Sequence, residues 1–324
     1  MNTFGRKLKI TIFGESHGKG VGIVIDGIPP GIPISEKDFD KDIKRRQPNK
    51  SGTTKRKEPD KAILLSGIFN GYTTGAPLTI FFENSNIKSK DYEIFKAIPR
   101  PGHADFTAKI KYKGFNDYRG GGMFSGRMTL PLVAAGVVAK KIIQPAKVNA
   151  YISEIYGKKE YQTLLQQAQK EGDSLGGLIE CKISNFPPGI GEPFFDSVES
   201  YISHLVFAIP GVKGIEFGAG FKAAKMKGSE YNDIFISTDG KTLTNNAGGI
   251  NGGITNGNDI IFRVAIKPTS SIYKRQYTLN FKTGKMEYLK ITGRHDIAIV
   301  LRVPVIIEAA AAIALADLKL LAET

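Results

Sequence analysis

Residues 117–129, D-Y-R-G-G-G-M-F-S-G-R-M-T, run directly into the apolar segment 130–143. The glycines Gly120, Gly121 and Gly122 have no Cβ, so their backbone can adopt positive φ and approach another surface closely. The apolar segment predicts a helix that is buried on nearly every side. A glycine-rich loop before such a helix presents backbone N–H groups at a positive helix end, where anions bind. The pattern also fits a tight turn packed on a core helix.

Composition restricts the class of protein. The chain has 324 residues, 41% of them hydrophobic, and a net charge of +14. That charge favours acidic ligands such as phosphates, nucleic acid or anionic lipid. The single cysteine, Cys181, excludes an internal disulfide framework, fits a reducing compartment and is interpreted as a small core residue. The sequence has no signal-peptide core and no apolar run of ~18 residues, so we expect a cytoplasmic protein without a membrane partner.

Hydrophobic periodicity predicts strands and helices in runs rather than in strict βαβ alternation. The predicted strands are 7–13, 21–25, 62–69, 77–83, 148–155, 178–184, 214–225 and 259–266. The predicted helices are 35–46, capped by Ser35, and 105–113, 130–143, 160–169, 195–207 and 305–321. This order favours an α+β fold in which helices pack on antiparallel sheets. Without an internal repeat or a low-complexity linker, we expect a single domain over residues 1–324.

Three glycine-containing loops carry ionisable residues, at 14–18, 100–105 and 293–296. A histidine beside a glycine in a loop, such as His17 or His103, suits proton transfer near neutral pH better than core packing. Each could also be a solvent-facing loop residue. In the third loop, Arg294 and Asp296 could form a surface ion pair, or could hold a phosphate beside a carboxylate base. No C-x-x-C, H-E-x-x-H, P-loop or Rossmann fingerprint is present, so we expect no metal site.

Two further segments could bind anions or a flat ring. Residues 267–271, K-P-T-S-S, offer one cation and three hydroxyl groups, which match phosphate oxygens, or they form a polar turn. Arg45 and Arg46 could clamp a dianion or lie on a solvated helix face. The glycine- and asparagine-rich residues 245–253 could approach a flat ring or form a surface turn.

These motifs together resemble the chorismate synthase family over essentially the whole chain. The shared motifs are G-E-S-H-G (14–18), R-R-x-P (45–48), R-P-G-H-A-D (100–105), D-Y-R-G-G-G (117–122), G-E-P (191–193), N-x-A-G-G-I-x-G-G (245–253), K-P-T-S-S (267–271) and G-R-H-D (293–296). The resemblance implies a lyase of the shikimate pathway, in aromatic amino acid biosynthesis. It removes phosphate from 5-enolpyruvylshikimate 3-phosphate by anti-1,4-elimination to give chorismate, and it requires reduced FMN without net redox change.

The resemblance also implies an architecture and partners. The expected fold is a β-α-β sandwich with helices between antiparallel sheets, and the expected assembly is a homotetramer. The partner is a small phosphorylated substrate rather than nucleic acid. No extra domain for flavin reduction is visible, so we expect an external flavin reductase, with NADPH as the indirect reductant.

Site residues follow from the resemblance motif by motif. His17 and His103 are implied to be the catalytic histidines: one protonates the departing phosphate and the other guards the protonation state of the reduced flavin. Asp296 is implied to help the flavin N5 accept the C6 proton. The implied FMN contacts are Met123, Phe124, Ser125, Pro210, Gly211, Gly252, Lys267, Pro268, Thr269, Ser270, Ser271 and Arg294. The implied contacts to substrate or NADP phosphate are Ser16, Arg45, Arg46, Arg100 and Arg127.

The sequence departs from many members of the family at several positions. Met123 and Phe124 replace an Arg-Ser pair, and Met128 replaces a Glu. Pro210 replaces an Asn, and Lys50 stands near a position where relatives carry an Arg. These changes put individual flavin contacts in doubt but leave His17, His103 and Asp296 untouched.

Two other classes of function remain open from the residues alone. A basic phosphate- or RNA-binding protein would explain the charge, but the chain has no Trp and no RNP-like pattern. An oxidoreductase could use FMN for net electron transfer. We also expect the basic loop at residues 47–57 to be open without ligand because its charges repel one another.

Overall fold

The computed structural model describes residues 2–48, 52–53, 58–85, 90–293 and 295–323. The strands are β1 (Thr3–Phe4), β2 (Lys9–Gly14), β3 (Gly20–Asp26), β4 (Ile63–Ser66), β5 (Ile68–Phe69), β6 (Tyr72–Thr73), β7 (Leu78–Glu83), β8 (Lys147–Ile155), β9 (Gly177–Ser184), β10 (Val212–Phe217), β11 (Ile250–Asn251), β12 (Ile254–Thr255), β13 (Ile260–Ile266), β14 (Gln276–Asn280) and β15 (Lys285–Leu289). Most of the basic loop predicted to be open, including Lys50, lies outside the described residues.

The helices complete the element order. The α-helices are α1 (Lys37–Arg46), α2 (Asp105–Lys111), α3 (Thr129–Ile142), α4 (Gln162–Glu171), α5 (Val198–Phe207), α6 (Gly228–Tyr231) and α7 (Pro304–Ala322). Short 3₁₀ helices are Lys90–Lys96, Arg119–Phe124, Gly126–Met128, Phe194–Asp196, Gly220–Lys225 and Ile299–Arg302.

Two antiparallel sheets form the outer layers. The first has the strand order β1-β2-β3-β7-β4, and the second has the order β10-β13-β9-β8. In β13 a buried residue alternates with a half-buried one along the whole strand, because successive side chains point to opposite faces. The pairs β5-β6, β11-β12 and β14-β15 are separate two-stranded ribbons.

A helical layer fills the space between the two sheets. Helix α3 packs against the first sheet, α7 packs against β8 and β9, and α5 packs against β10. Helices α3 and α7 contact each other closely at Gly136, where a Cβ would lie 2.3 Å from the Cβ of Ala309. One apolar core contains residues of both sheets and of these helices, including Cys181. The predicted β-α-β sandwich and the α+β class are confirmed.

Buried carboxylates on α7 are fully bonded. Asp317 accepts hydrogen bonds from the backbone N–H groups of Arg6, Lys7 and Leu8 at 2.8, 2.8 and 2.7 Å, and from the Tyr201 hydroxyl at 2.7 Å. These bonds fix the N-terminal segment to the helical layer, because an unpaired buried carboxylate would be costly.

Two local predictions were wrong, and one hairpin was missed. Ser35 does not cap α1: its hydroxyl donates to Asp38 at 3.0 Å, and the helix begins at Lys37. The strand predicted over 214–225 ends at Phe217, where Gly218 has a φ of 54° that breaks the extended chain. The hairpin of β14 and β15 was not predicted, since its polar strands lack a strong apolar alternation.

Candidate active site

The glycine-rich loop before α3 brings two histidines to one place. Gly120, Gly121 and Gly122 all have positive φ, at 60°, 81° and 53°. A Cβ on Gly120 would lie 2.6 Å from Nε2 of His17, and one on Gly121 would lie 3.7 Å from Nε2 of His103. The two imidazoles therefore flank consecutive residues of the chain, and Gly120 leaves no room for any side chain against His17.

The loop that carries His17 is fixed from two sides. The backbone N–H of Ser16 donates to the carbonyl of Gly122 at 3.3 Å. The Asn84 amide donates to the carbonyls of Glu15 and Gly18, both at 3.0 Å. His17 is buried and its ring meets that of Tyr92 edge-on, with centroids 5.2 Å apart.

A cavity of about 640 Å³ opens beside this loop. Most of the site residues indicated by the sequence line it: Arg46, Arg100, His103, Met123, Phe124, Ser125, Arg127, Pro210, Gly211, Lys267, Thr269, Ser270, Ser271 and Asp296. Residues that are remote in sequence thus meet in one concave site, which is the usual form of a small-molecule site.

Five of the indicated residues that the structure describes do not line this cavity. Ser16 and His17 lie directly behind Gly120, which does line it. Pro268 lies in the lining segment without contributing to the surface. Gly252 lies in the turn between β11 and β12, and Arg45 lines a separate cavity of about 380 Å³. Arg294 lies outside the described residues.

Arg45 is held by carboxylates instead. Its guanidinium donates to both oxygens of Glu308 at 2.7 and 2.6 Å and to Asp42 at 3.2 Å. Lys140 donates to the same two carboxylates. Arg45 therefore joins α1 to α7, and in this structure it does not reach the main cavity.

His103 belongs to a buried ionic cluster at the cavity wall. Its Nδ1 lies 2.7 Å from Oδ1 of Asp105, and Arg100 donates to both Asp105 oxygens at 2.7 Å. Burial raises the pKa of Asp105, but hydrogen bonds from Arg100 and His103 outweigh it, so the pKa lies well below its usual range. If Nδ1–H donates to this ionised carboxylate, Nε2 of His103 is left as the proton acceptor.

The neutral form of His103 is favoured. Burial lowers the pKa of the imidazole, and the charges of Arg100 and Lys267 lower it further, against the effect of Asp105. Near pH 7 the free site therefore holds His103 as a base or hydrogen-bond partner rather than as a cation.

A second cluster groups Arg127 and Arg46 around Asp60, with Arg302 next to Arg46. Arg127 donates to Asp60 and, at 2.9 Å, to Oδ1 of Asn84, while Nη1 of Arg46 lies 3.6 Å from Asp60. Arg46 also donates to Thr129 at 3.0 Å. Burial and the charge of Arg302 lower the pKa of Arg46 to about 9, although Asp60 opposes this. Like charges are held together here at an electrostatic cost.

The segment 267–271 forms a third polar group. Nζ of Lys267 lies 2.5 Å from the carbonyl of Gly102 and 2.8 Å from Oγ of Ser270. Oγ of Ser271 accepts from Arg100 at 3.2 Å. Burial and the charge of Lys213 lower the pKa of Lys267. A cation beside hydroxyl groups is a suitable arrangement for phosphate oxygens.

The lining combines an excess of positive charge with an apolar wall. Six lining residues are cationic and three are acidic among the described residues; the cations are Arg46, Arg100, Arg127, Lys213, Lys267 and Arg302, and the acids are Glu58, Asp60 and Asp296. Apolar side chains complete the wall: Met123, Phe124, Ile209, Ile299, Val303 and Ile306. The hydroxyl of Ser16, buried behind Gly120, has no hydrogen-bond partner within the described part of the chain.

Sequence reasoning missed several charged contributors to this site, among them Asp60, Lys213 and Arg302. None of these three residues had an assigned role in the sequence analysis. Each is a charge beside an apolar element, and that was the available signal. Over the described ranges, no group of three or more His, Cys, Asp and Glu side chains could hold a metal ion. In the same ranges, no helix is long and apolar enough to cross a membrane.

A basic cavity with an apolar wall and histidines at its margin defines an enzyme that acts on a small anionic molecule. Comparisons with known proteins identify the family of this enzyme. The sequence model of the chorismate synthase family matches residues 8–320. A chorismate synthase of Chitinophaga pinensis is 58% identical over 322 residues, covering 99% of this chain and 97% of the relative. A chorismate synthase of Pyrococcus abyssi is 47% identical, covering 97% and 96%.

A solved structure agrees with these relatives. A crystal structure of chorismate synthase superimposes with a TM-score of 0.76 at 28% identity, covering 98% of this chain and 93% of the other. The chain therefore belongs to the chorismate synthase family, and it is a lyase.

Proposed function

We propose that this enzyme removes phosphate from 5-enolpyruvylshikimate 3-phosphate by anti-1,4-elimination to give chorismate, with reduced FMN and no net redox change. The single observation that carries the proposal is the cavity itself. It combines excess positive charge, an apolar wall and loop histidines in one space of about 640 Å³. A substrate with phosphate and carboxylate groups and a cofactor with phosphate both need that charge.

Positioned cations assist the departure of phosphate. Arg46 and Arg127 are buried and already bonded to Asp60 and the surrounding chain, so they are rigid before the substrate arrives. Such preorganised charge stabilises negative charge that develops on a leaving group, because little reorganisation is needed during the reaction. In our proposal these two residues and Arg100 bind the anionic groups of the substrate.

The histidines handle protons at the margin of the cavity. One of His17 and His103 protonates the departing phosphate, and the other maintains the protonation state of the flavin. Asp296 would help the flavin N5 to accept the proton that leaves carbon C6. Two observations support these roles. Both imidazoles lie against consecutive glycines, and Asp296 lines the same cavity as His103.

The segment 267–271 and the neighbouring apolar wall suit FMN. Lys267, Thr269 and Ser270 would hold its phosphate, and Met123 and Phe124 would contact its ring. The reduced flavin supplies an electron-rich ring that can stabilise electron-deficient character in the substrate. The residues of the chain orient that ring, exclude water and hold the proton donors. We further propose that NADPH acts only indirectly, through an external flavin reductase.

The proposed assembly is a homotetramer in the cytoplasm. Several large apolar side chains are exposed on the single chain, among them Phe194, Phe195 and Phe221. Exposed apolar surface of this kind is typical of contacts between subunits. A second copy of this chain is the proposed occupant. The buried free thiol of Cys181 fits a reducing compartment.

Anaerobic phosphate release with photoreduced FMN tests the proposal. We expect stoichiometric phosphate and chorismate while the reduced flavin is not consumed. Consumption of one reduced flavin for each turnover would instead favour an oxidoreductase with net electron transfer. Absence of release together with tight RNA binding would favour a basic RNA-binding protein. Size-exclusion chromatography with light scattering tests the tetramer independently.

A further inference from the structure

Arg302 occupies a position that none of the shared motifs includes. It ends the 3₁₀ helix Ile299–Arg302, immediately before α7, and it lines both the main cavity and the smaller one beside Arg45. We propose that Arg302 is a positioning residue of the reaction, which holds Asp296 in place and ties it to the end of α1. This inference rests on the role proposed above for Asp296.

Two edges of the guanidinium are used by two different elements. Nη1 donates to Oδ2 of Asp296 at 3.0 Å, and Nε donates to the backbone carbonyl of Arg46 at 2.9 Å. That carbonyl lies in the last turn of α1, where helical carbonyls have no partner within the helix. A planar guanidinium fixes the angle between its two acceptors, and so it fixes Asp296 relative to Arg46.

A positive charge at residue 302 is electrostatically unfavourable, and packing alone would not need it. Burial is the main cause of the low pKa of Arg46, and the charge of Arg302 is the next largest cause. The two cations therefore repel each other. A neutral side chain of similar size would fill the same volume without that repulsion. A planar guanidinium can donate to a carboxylate through one edge and to a helix-end carbonyl through the other. This pairing sets the orientation of Asp296.

A double-mutant cycle tests this inference. The variants are R302Q, R302K, D296N and the combination of R302Q with D296N, assayed for kcat and KM with photoreduced FMN. R302Q should lower kcat by about 10²-fold, the effect of misplacing a reacting group by about 1 Å, and R302K should recover only part of it. The combined variant should be no slower than D296N alone, because Arg302 acts through Asp296.

The matched control is R263Q. Arg263 forms an ion pair of 2.9 Å with Glu216 on the second sheet, away from the cavity, so this variant should keep the wild-type kcat. The inference would be overturned if the losses of kcat from R302Q and D296N multiplied in the combined variant. A wild-type kcat in R302Q would also overturn it. If the wild-type enzyme releases no phosphate, the proposed function fails instead. The crystal structure of R302Q then decides: a displaced Asp296 carboxylate supports positioning, and an unmoved one contradicts it.

Discussion

The helical layer and the loops around the cavity are built in opposite ways. Helices α3 and α7 are buried along most of their length, and the buried carboxylates Glu308 and Asp317 each accept several hydrogen bonds. Around the cavity, by contrast, Arg46, Arg127 and Arg302 lie together although they repel one another. The helical layer contributes mainly to stability. The cavity, where arginines repel one another, contributes mainly to ligand binding.

This difference implies that rate and stability respond to different substitutions. Removal of the cavity histidines should alter turnover with little loss of folding free energy, because Asp105 keeps its bonds from Arg100 when His103 is removed. Changes between α3 and α7 should lower the free energy of unfolding and leave turnover per folded molecule unchanged. Each of the following tests could show that turnover and stability do not respond to separate sets of substitutions.

The largest expected effect is on turnover. His17→Ala or His103→Ala should reduce kcat about 10²–10⁴-fold, the usual contribution of a positioned acid or base. FMN binding should largely survive, since the proposed phosphate contacts lie at 267–271. Phosphate release and flavin fluorescence measure the two quantities. Near-normal turnover in both variants would show that the imidazoles have been given the wrong roles.

An intermediate effect is expected on stability. Gly136→Ala places a Cβ 2.3 Å from that of Ala309, so it should lower the free energy of unfolding by about 1–3 kcal/mol. Urea denaturation measures this, and kcat of the folded fraction should not change. Gly228→Ala is the matched control, because a Cβ there meets no atom within 4 Å. Equal losses in the two variants would contradict a close α3–α7 contact.

The smallest expected effect is a displaced titration. Because burial lowers the pKa of His103, its midpoint in the folded enzyme should lie below the ordinary value of about 6.5. The linked stability is then present above pH of about 6.5 and is lost as pH falls through the folded-state pKa. NMR of histidine-labelled enzyme, assigned with His103→Ala, measures the midpoint. A midpoint above that value would mean that Asp105 outweighs burial.

The layer was easier to predict than the site for a physical reason. Long apolar runs such as those of α3 and α7 indicate burial by themselves, so the sandwich could be expected from the sequence and the resemblance. Loop histidines beside glycines were recognisable from local spacing. Asp60 and Arg302 were not, because their partners lie 67 and 256 residues away in the chain, at Arg127 and Arg46.

The errors at Ser35 and at Arg45 have local causes. The pairing of Ser35 with Asp38 fits a capping pattern in sequence, yet the hydroxyl donates to the carboxylate and leaves the helix uncapped by a side chain. Arg45 and Arg46 are adjacent and looked equivalent. One faces Glu308 and the other faces the cavity, a difference set by successive positions on α1 rather than by residue type.

A crystal structure of the enzyme with FMN and the phosphorylated substrate tests the central claim most directly. The account predicts the flavin ring against Met123 and Phe124, the substrate phosphate among Arg46, Arg100 and Arg127, and Nε2 of His103 within hydrogen-bond distance of a ligand. Electron density for FMN outside this cavity, with His17, His103 and Asp296 remote from both molecules, would contradict it.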